Sequence, residues 1–284
     1  MLICSLCGSL QAQFLTTGVE SITLSMVNVA GSTPMNIAWH PGFQQYYGGR
    51  GGNSSYGGRV WNVSGSIVQN LTPINTDLRS FFYNSNTGNL ENITYAASGS
   101  SAGYRTVGLD ANGQFTGSYT NFNVTLTGLP SGQVAPAYDA GRNLFYAYES
   151  GSTVKAVSPS TGLAVSTITL DLTAAGSPSI PTHVIGYEPT YDALITYTTS
   201  GGARALAFNP TTGAFVTSIS LPGTLPSPGE WRMGYANHLL FVYDGGIDGY
   251  RGYQITAIPE PGTLALLGTG LVMVAIACYR RRRV

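Results

Sequence analysis

The sequence predicts an all-β fold, and three observations carry that expectation: a composition suited to strands and turns, short alternating apolar runs, and a turn motif that returns at a near-constant interval. Its 284 residues include 37 Gly, 18 Tyr and 10 Phe, and only 9% are charged. Aromatic and β-branched residues suit a pleated, half-buried surface, whereas scarce Lys and Glu remove common helix formers. With 43% hydrophobic residues and 13 basic against 13 acidic groups, the chain has apolar area to bury and little net charge to keep it disordered.

The recurring motif is a small polar residue followed by Gly, ahead of an alternating strand. Thr17-Gly18 leads VESITL, Ser64-Gly65 leads SIVQNL, Asn112-Gly113 leads QFTGSY, Thr161-Gly162 leads LAVSTITL, and Thr212-Gly213 leads AFVTSISL. These glycines lie 47, 48, 49 and 51 residues apart. A strand also precedes each later motif (RVWNV, RTVGLD, TVKAVSP, RALAFNP), which makes a hairpin. Further upstream come the aromatic strands LFYAYES and ALITYTTS, themselves preceded by VAPAYDA and VIGYEPT. Each unit therefore supplies four strands in about 40–50 residues, the arithmetic of a β-propeller blade.

The ends of the body complement each other. The last unit, at 232–258, holds three strands, and VESITL at 19–24 matches the missing fourth. The expected architecture is a five-bladed β-propeller closed by the N-terminal strand. Its blades fall at about 36–72, 78–127, 132–171, 182–222, and 231–258 joined with 15–24, within a body spanning 13–258. Closure matters because an open ring leaves strand edges free to pair with other chains. VSPSTGLAVSTITL and FNPTTGAFVTSISL resemble the YVTN, NHL and quinoprotein-like propellers. A β-sandwich is the competing architecture.

The termini differ from the body. Cys4, Cys7 and Cys278 are the only cysteines, so nothing between them can form a disulfide framework or a cysteine zinc site. Residues 1–12, MLICSLCGSLQA, read as an incomplete export signal: an apolar run ending at Ala12 but with no preceding Lys or Arg, as expected if the true start lies upstream.

At the other end, Pro259-Glu260-Pro261 precedes an uncharged segment of 18 residues from Gly262 to Tyr279. Its apolar positions include Leu264, Leu266, Leu267, Leu271, Val272, Val274 and Ile276, and Arg280, Arg281, Arg282 and Arg283 follow. At about 1.5 Å per residue such a segment just spans a bilayer core as a transmembrane helix. The arginines stay on the cytoplasmic side, which puts the body outside. Residues 259–284 closely resemble the PEP-CTERM sorting signal of exported bacterial proteins, through the Pro-Glu-Pro motif, the apolar helix with Gly268 and Gly270, and the arginine cluster. The resemblance implies processing by exosortase, a membrane-embedded transpeptidase acting at or near Pro-Glu-Pro, and delivery to the cell envelope or extracellular matrix. Pro261 suits that role because it cannot extend the following helix backwards.

Chemistry is thinly signalled. Setting the four terminal arginines aside leaves nine basic against 13 acidic residues, with no basic stripe to neutralise phosphates, so nucleic acid is excluded as a partner. His40, His183 and His238 each fall near the first strand of a unit, from which they can converge on a central channel; a shared structural position is preferred to a zinc site. No metal and no cofactor is expected.

Asp139, Glu188, Asp192, Glu230 and Asp244 are the candidate propeller carboxylates, with Asp139 and Asp192 read as turn formers. DGGIDG at 244–249 is read as a hairpin turn in preference to a Ca²⁺ loop, since it lacks further acids. Asn-x-Ser/Thr sequences begin at Asn53, Asn62, Asn70, Asn92 and Asn123, and Tyr46, Tyr47 and Tyr56 flank a glycine-rich insertion where they can stack on sugar rings. The functional expectation is an exported binding or scaffold module meeting extracellular polysaccharide. The alternative is a secreted carbohydrate-active enzyme using the propeller carboxylates, which requires acids gathered at one channel mouth with a raised pKa.

Overall fold

The computed structural model describes residues 14–75, 77–95, 103–122 and 124–257. The expected export signal at 1–12, the sorting motif Pro259, Glu260 and Pro261, the span from Gly262 to Tyr279, the arginines 280–283, and Asn123 lie outside the described residues. Among the described residues every regular element is a β-strand, and no helix is long and apolar enough to cross a membrane.

The strands run β1 (Phe14–Ser25), β2 (Thr33–Pro34), β3 (Ala38–His40), β4 (Gln45–Gly51), β5 (Gly57–Asn62), β6 (Ile67–Pro73), β7 (Leu78–Asn84), β8 (Asn89–Thr94), β9 (Tyr104–Leu109), β10 (Phe115–Asn121), β11 (Ala137–Asp139), β12 (Leu144–Tyr148), β13 (Thr153–Val157), β14 (Ala164–Thr169), β15 (Gly186–Glu188), β16 (Ala193–Thr198), β17 (Arg204–Phe208), β18 (Phe215–Ser220), β19 (Met233–Ala236), β20 (Leu239–Asp244) and β21 (Gly249–Thr256). Four antiparallel meanders of four strands follow one another: β3–β6, β7–β10, β11–β14 and β15–β18. A fifth begins with β19, β20 and β21, and β1 from the start of the chain pairs antiparallel with β21 as its fourth strand. One parallel bridge, Thr17 to Ser220, ties β1 to β18 as well.

The first strands of the five units touch in a closed cycle: β3 on β7, β7 on β11, β11 on β15, β15 on β19, and β19 on β3. The apolar cores repeat that order. Tyr47, Val60, Phe81 and Phe115 fill the space between units one and two, and Phe82, Tyr104, Phe145 and Val157 that between two and three. Tyr146, Ile168, Leu194 and Phe208 lie between three and four; Ile195, Ala205, Met233 and Tyr253 between four and five; Tyr46, Trp61, Phe241 and Tyr250 between five and one. Adjacent residues such as Tyr46 and Tyr47, or Leu194 and Ile195, thus serve opposite sides of one sheet. With both faces buried, a middle strand reads as a continuous apolar run.

Glycine sets two features. Gly65, Gly113, Gly162 and Gly213 have φ of 84°, 76°, 72° and 74°, in the turn between the third and fourth strand of their units. Gly18 does not join them: it lies inside β1, where no turn is needed because the strand arrives from the chain start. Most of the glycine-rich stretch beside Tyr46 lies in buried strand, with Gly52 to Ser55 as an exposed turn between β4 and β5. Gly48, Gly49 and Gly51 are buried in β4, and a Cβ on Gly51 would lie 2.4 Å from the Leu78 carbonyl oxygen, so close backbone approach explains the composition.

Candidate binding site

A cavity of about 420 Å³ opens where the five first strands meet. Each strand contributes an aromatic residue at its second-to-last position: Trp39 in β3, Tyr83 in β7, Tyr138 in β11, Tyr187 in β15 and Tyr235 in β19. All five line this cavity and remain partly exposed. The placement is a register effect. In every unit the next residue is the last pair of the hairpin, as in Asp139 with Leu144 and Glu188 with Ala193, so the ring stands one step from the turn.

The four tyrosines each reach towards the unit before their own. Tyr235 donates its hydroxyl hydrogen bond to Glu188 Oε2, Tyr138 accepts from Asn86 Nδ2 at 3.0 Å, Tyr187 accepts from Arg142 Nη1 at 3.3 Å, and the Tyr83 ring lies 4.6 Å from that of His40. Tyr138 and Tyr187 also donate to Asn143 and Asp192, at 2.8 and 2.9 Å. These bonds fix the rings of Tyr138, Tyr187 and Tyr235, so much of the cavity wall is preorganised.

His238 enters the cavity from the β19–β20 turn. That turn has two central residues, Asn237 and His238, with φ of 51° and 62°, the conformation of a type I′ hairpin. Its Nδ1 lies 3.0 Å from Glu188 Oε2. Burial alone would raise the Glu188 carboxyl, but hydrogen bonds from His238, Tyr235 and the Thr190 side chain outweigh it and hold the group below its ordinary range. The same hydrogen bond to Glu188 lifts the His238 imidazole above its ordinary value despite partial burial. Burial, with Glu188 beside it, pushes the Tyr235 hydroxyl well up and keeps it a donor.

The other expected carboxylates have different surroundings. Asp139 is buried and accepts from the Arg142 amide at 3.1 Å and its guanidinium at 2.8 Å, so it caps a turn, while Asp192 faces the same guanidinium from the next unit. Asp244 accepts from the Gly246 amide and from Arg251, and Glu230 is exposed outside the cavity wall. Asp248 accepts from Arg50 and Tyr243, so the two acids of DGGIDG serve separate partners and the segment closes the β20–β21 hairpin.

The three histidines do not converge. His40 is buried among Phe43, Tyr47 and Tyr83, His183 stacks on Trp231 at 4.8 Å, and only His238 reaches the cavity. Among the described residues no three His, Cys, Asp or Glu gather as metal ligands. Tyr46 and Tyr47 are corrected too: they are 1% and 0% exposed and belong to the cores, so neither can stack on a sugar. Tyr56 is partly exposed and bonds the Ala30 carbonyl. The Asn92 side chain is fully buried in β8 of the folded chain. The aromatic set went unremarked in the sequence, although AWH, FYN, AYD, GYE and GYA stand at equivalent places before their hairpin turns.

The chain matches no curated protein sequence. In fold it is similar to the tail fibre of Staphylococcus aureus phage P68, with TM-score 0.52 and 11% identity, over 84% of this chain and 52% of that one. It therefore spans about half the tail-fibre chain. A luciferin-regenerating enzyme aligns at TM-score 0.45 and 11% identity over 86% of this chain and 96% of the other. Residues 257–283 match the PEP-CTERM protein-sorting motif. The chain thus carries the sorting signal of an exported protein that is processed at the membrane by exosortase.

Proposed function

We propose that this protein is a binding module of the cell envelope or extracellular matrix: a five-bladed propeller, closed by β1, that is released from its C-terminal anchor and takes a saccharide ligand at its axial cavity. The closed cycle of first strands and the five shared cores support the propeller reading. The observation that carries the binding role is the partly exposed aromatic supplied by each of the five units around one cavity. Flat apolar ring surfaces beside a few fixed polar groups are the usual makings of a small-ligand site. A rigid ring also lets its loops vary without disturbing the sheets.

Hydrolysis by the propeller carboxylates is the weaker reading. A general acid in glycoside hydrolysis needs a raised pKa. Here Glu188 and Asp192 are both held low, Glu188 by His238 and Tyr235 against its burial, and Asp192 by Arg142 first. Asp139 is engaged by the same guanidinium.

Two measurements test the proposal. In the native host, the intact chain should be cleaved and recovered from the envelope or matrix, whereas a variant with Pro259, Glu260 and Pro261 replaced by Ala should stay uncleaved in the inner membrane. Recovery of both in one fraction at one size overturns the sorting role. The processed protein should bind members of a glycan array, and Trp39→Ala should abolish the signal. An array blank for the native protein overturns the saccharide role.

A further inference from the structure

Within that binding role, we propose that the axial cavity selects a cationic saccharide, an amino sugar whose ammonium group is free. The argument rests on what surrounds the aromatic wall. Among the described residues no Lys, Arg, Asp or Glu lines the cavity, and His238 is the one imidazole there. Four carboxylates act on the rings: Asp192 and Glu188 accept from the Tyr187 and Tyr235 hydroxyls, and Glu91 and Asp139 act on Tyr138 through space. Against them stand Arg142, shared between Asp139 and Asp192, and His238. The surroundings remain negative by two charges even with His238 protonated, as the remaining acids outnumber the bases.

Burial makes this imbalance felt. Glu91 and Glu188 are 0% exposed and Asp139 is 2% exposed, so salt screens them weakly and their field reaches the cavity through protein. Glu91 accepts from Asn84 and Thr87, and Glu188 from Tyr235 and the Thr190 amide. A phenol that donates to a carboxylate also has a more electron-rich ring, which strengthens attraction for a cation beside it. Aromatic walls recognise ammonium groups by this attraction. A neutral sugar would use only the stacking surface, and a uronate would meet like charge. An amino sugar uses both the flat ring surfaces and the field.

The test is a charge series on one scaffold. The processed protein would be titrated calorimetrically at pH 6 with the trisaccharide of glucosamine and with its fully N-acetylated counterpart. At that pH the amines are charged, taking an amine beside electron-withdrawing substituents to titrate as an α-amino group does, at about 7.7–8.0, and His238 is protonated against Glu188. Glucosamine trisaccharide should bind at least about tenfold more tightly, and its advantage should shrink as salt rises. Tyr83→Leu should reduce binding of the cationic probe several-fold more than that of the neutral one. Equal affinities overturn the charge selection and leave the binding role standing. Tighter binding of a glucuronate trisaccharide inverts it. No heat with any of the three probes overturns this inference, while the binding role falls only if the glycan array is blank as well.

Discussion

Arg142 and Asp192 belong to consecutive units and face each other in a two-pronged ion pair, with Nη1 on Oδ1 and Nη2 on Oδ2 both at 2.6 Å. The same Nη1 lies 2.8 Å from Asp139 Oδ2. One side chain therefore caps its own turn and clamps the next unit's turn at the rim of the cavity. The hydrogen bonds to Asp192 and then Asp139 raise the guanidinium pKa further, and those same bonds hold the Asp192 carboxyl low.

The two partners of Arg142 differ in burial, and that predicts an asymmetry. Asp192 is 45% exposed, so water replaces the guanidinium and Asp192→Ala should cost only about 0.5–1 kcal/mol. Asp139 is 2% exposed, and Arg142→Ala strands its carboxylate with the Arg142 amide and the Tyr146 hydroxyl as remaining donors. That variant should cost roughly 2–3 kcal/mol. Denaturant midpoints of both variants would decide it, and equal losses would show that Asp139 does not depend on the clamp.

The Glu188–His238 contact predicts a pH window with two limits. His238 has a folded pKa above its ordinary 6.5, so its stabilisation is complete below 6.5 and is lost as pH rises through the folded value. Glu188 has a folded pKa below 4.5, so its contribution is present above 4.5 and is lost as pH falls through the folded value. Stability from this pair should therefore be greatest between about pH 4.5 and 6.5. Titration of the His238 ring protons by NMR should show the raised value, and Glu188→Gln should bring it back down. An unchanged titration in that variant would assign the shift to another source.

Much of this architecture was legible because its causes are local. A turn glycine recurring every 48–51 residues marks four of the five units, and alternating LAVSTITL or AFVTSISL announces an outer strand with one exposed face. The cavity was harder to read, since Trp39, Tyr83, Tyr138, Tyr187 and Tyr235 are brought together by register across five hairpins and not by spacing along the chain. Tyr46 and Tyr47 misled for a related reason. A run of glycines beside aromatics suggests a loop, whereas Gly48 is small because Ile37 and Trp61 press on it, a constraint set by residues far away. Glu188 likewise acquires its character from His238, fifty positions along.

The repeat glycines make the most quantitative prediction. Gly213 has φ of 74°, and a Cβ there would lie 2.0 Å from the Thr169 carbonyl oxygen of the preceding unit, where the Asp171 amide also donates to the Gly213 carbonyl at 2.8 Å. Gly223 has nearly the same backbone, φ of 78°, with nothing within 4 Å of its Cβ position. Gly223→Ala should therefore cost only the left-handed conformation, about 1 kcal/mol. Gly213→Ala adds a clash with main chain that no side-chain rotation relieves, and should cost roughly 3–5 kcal/mol. Guanidinium unfolding of the two variants separates the terms, because they share the backbone penalty and differ only in the docked unit. If both lose the same stability, the glycine is kept for its turn alone and the contact with Thr169 plays no part in joining the units.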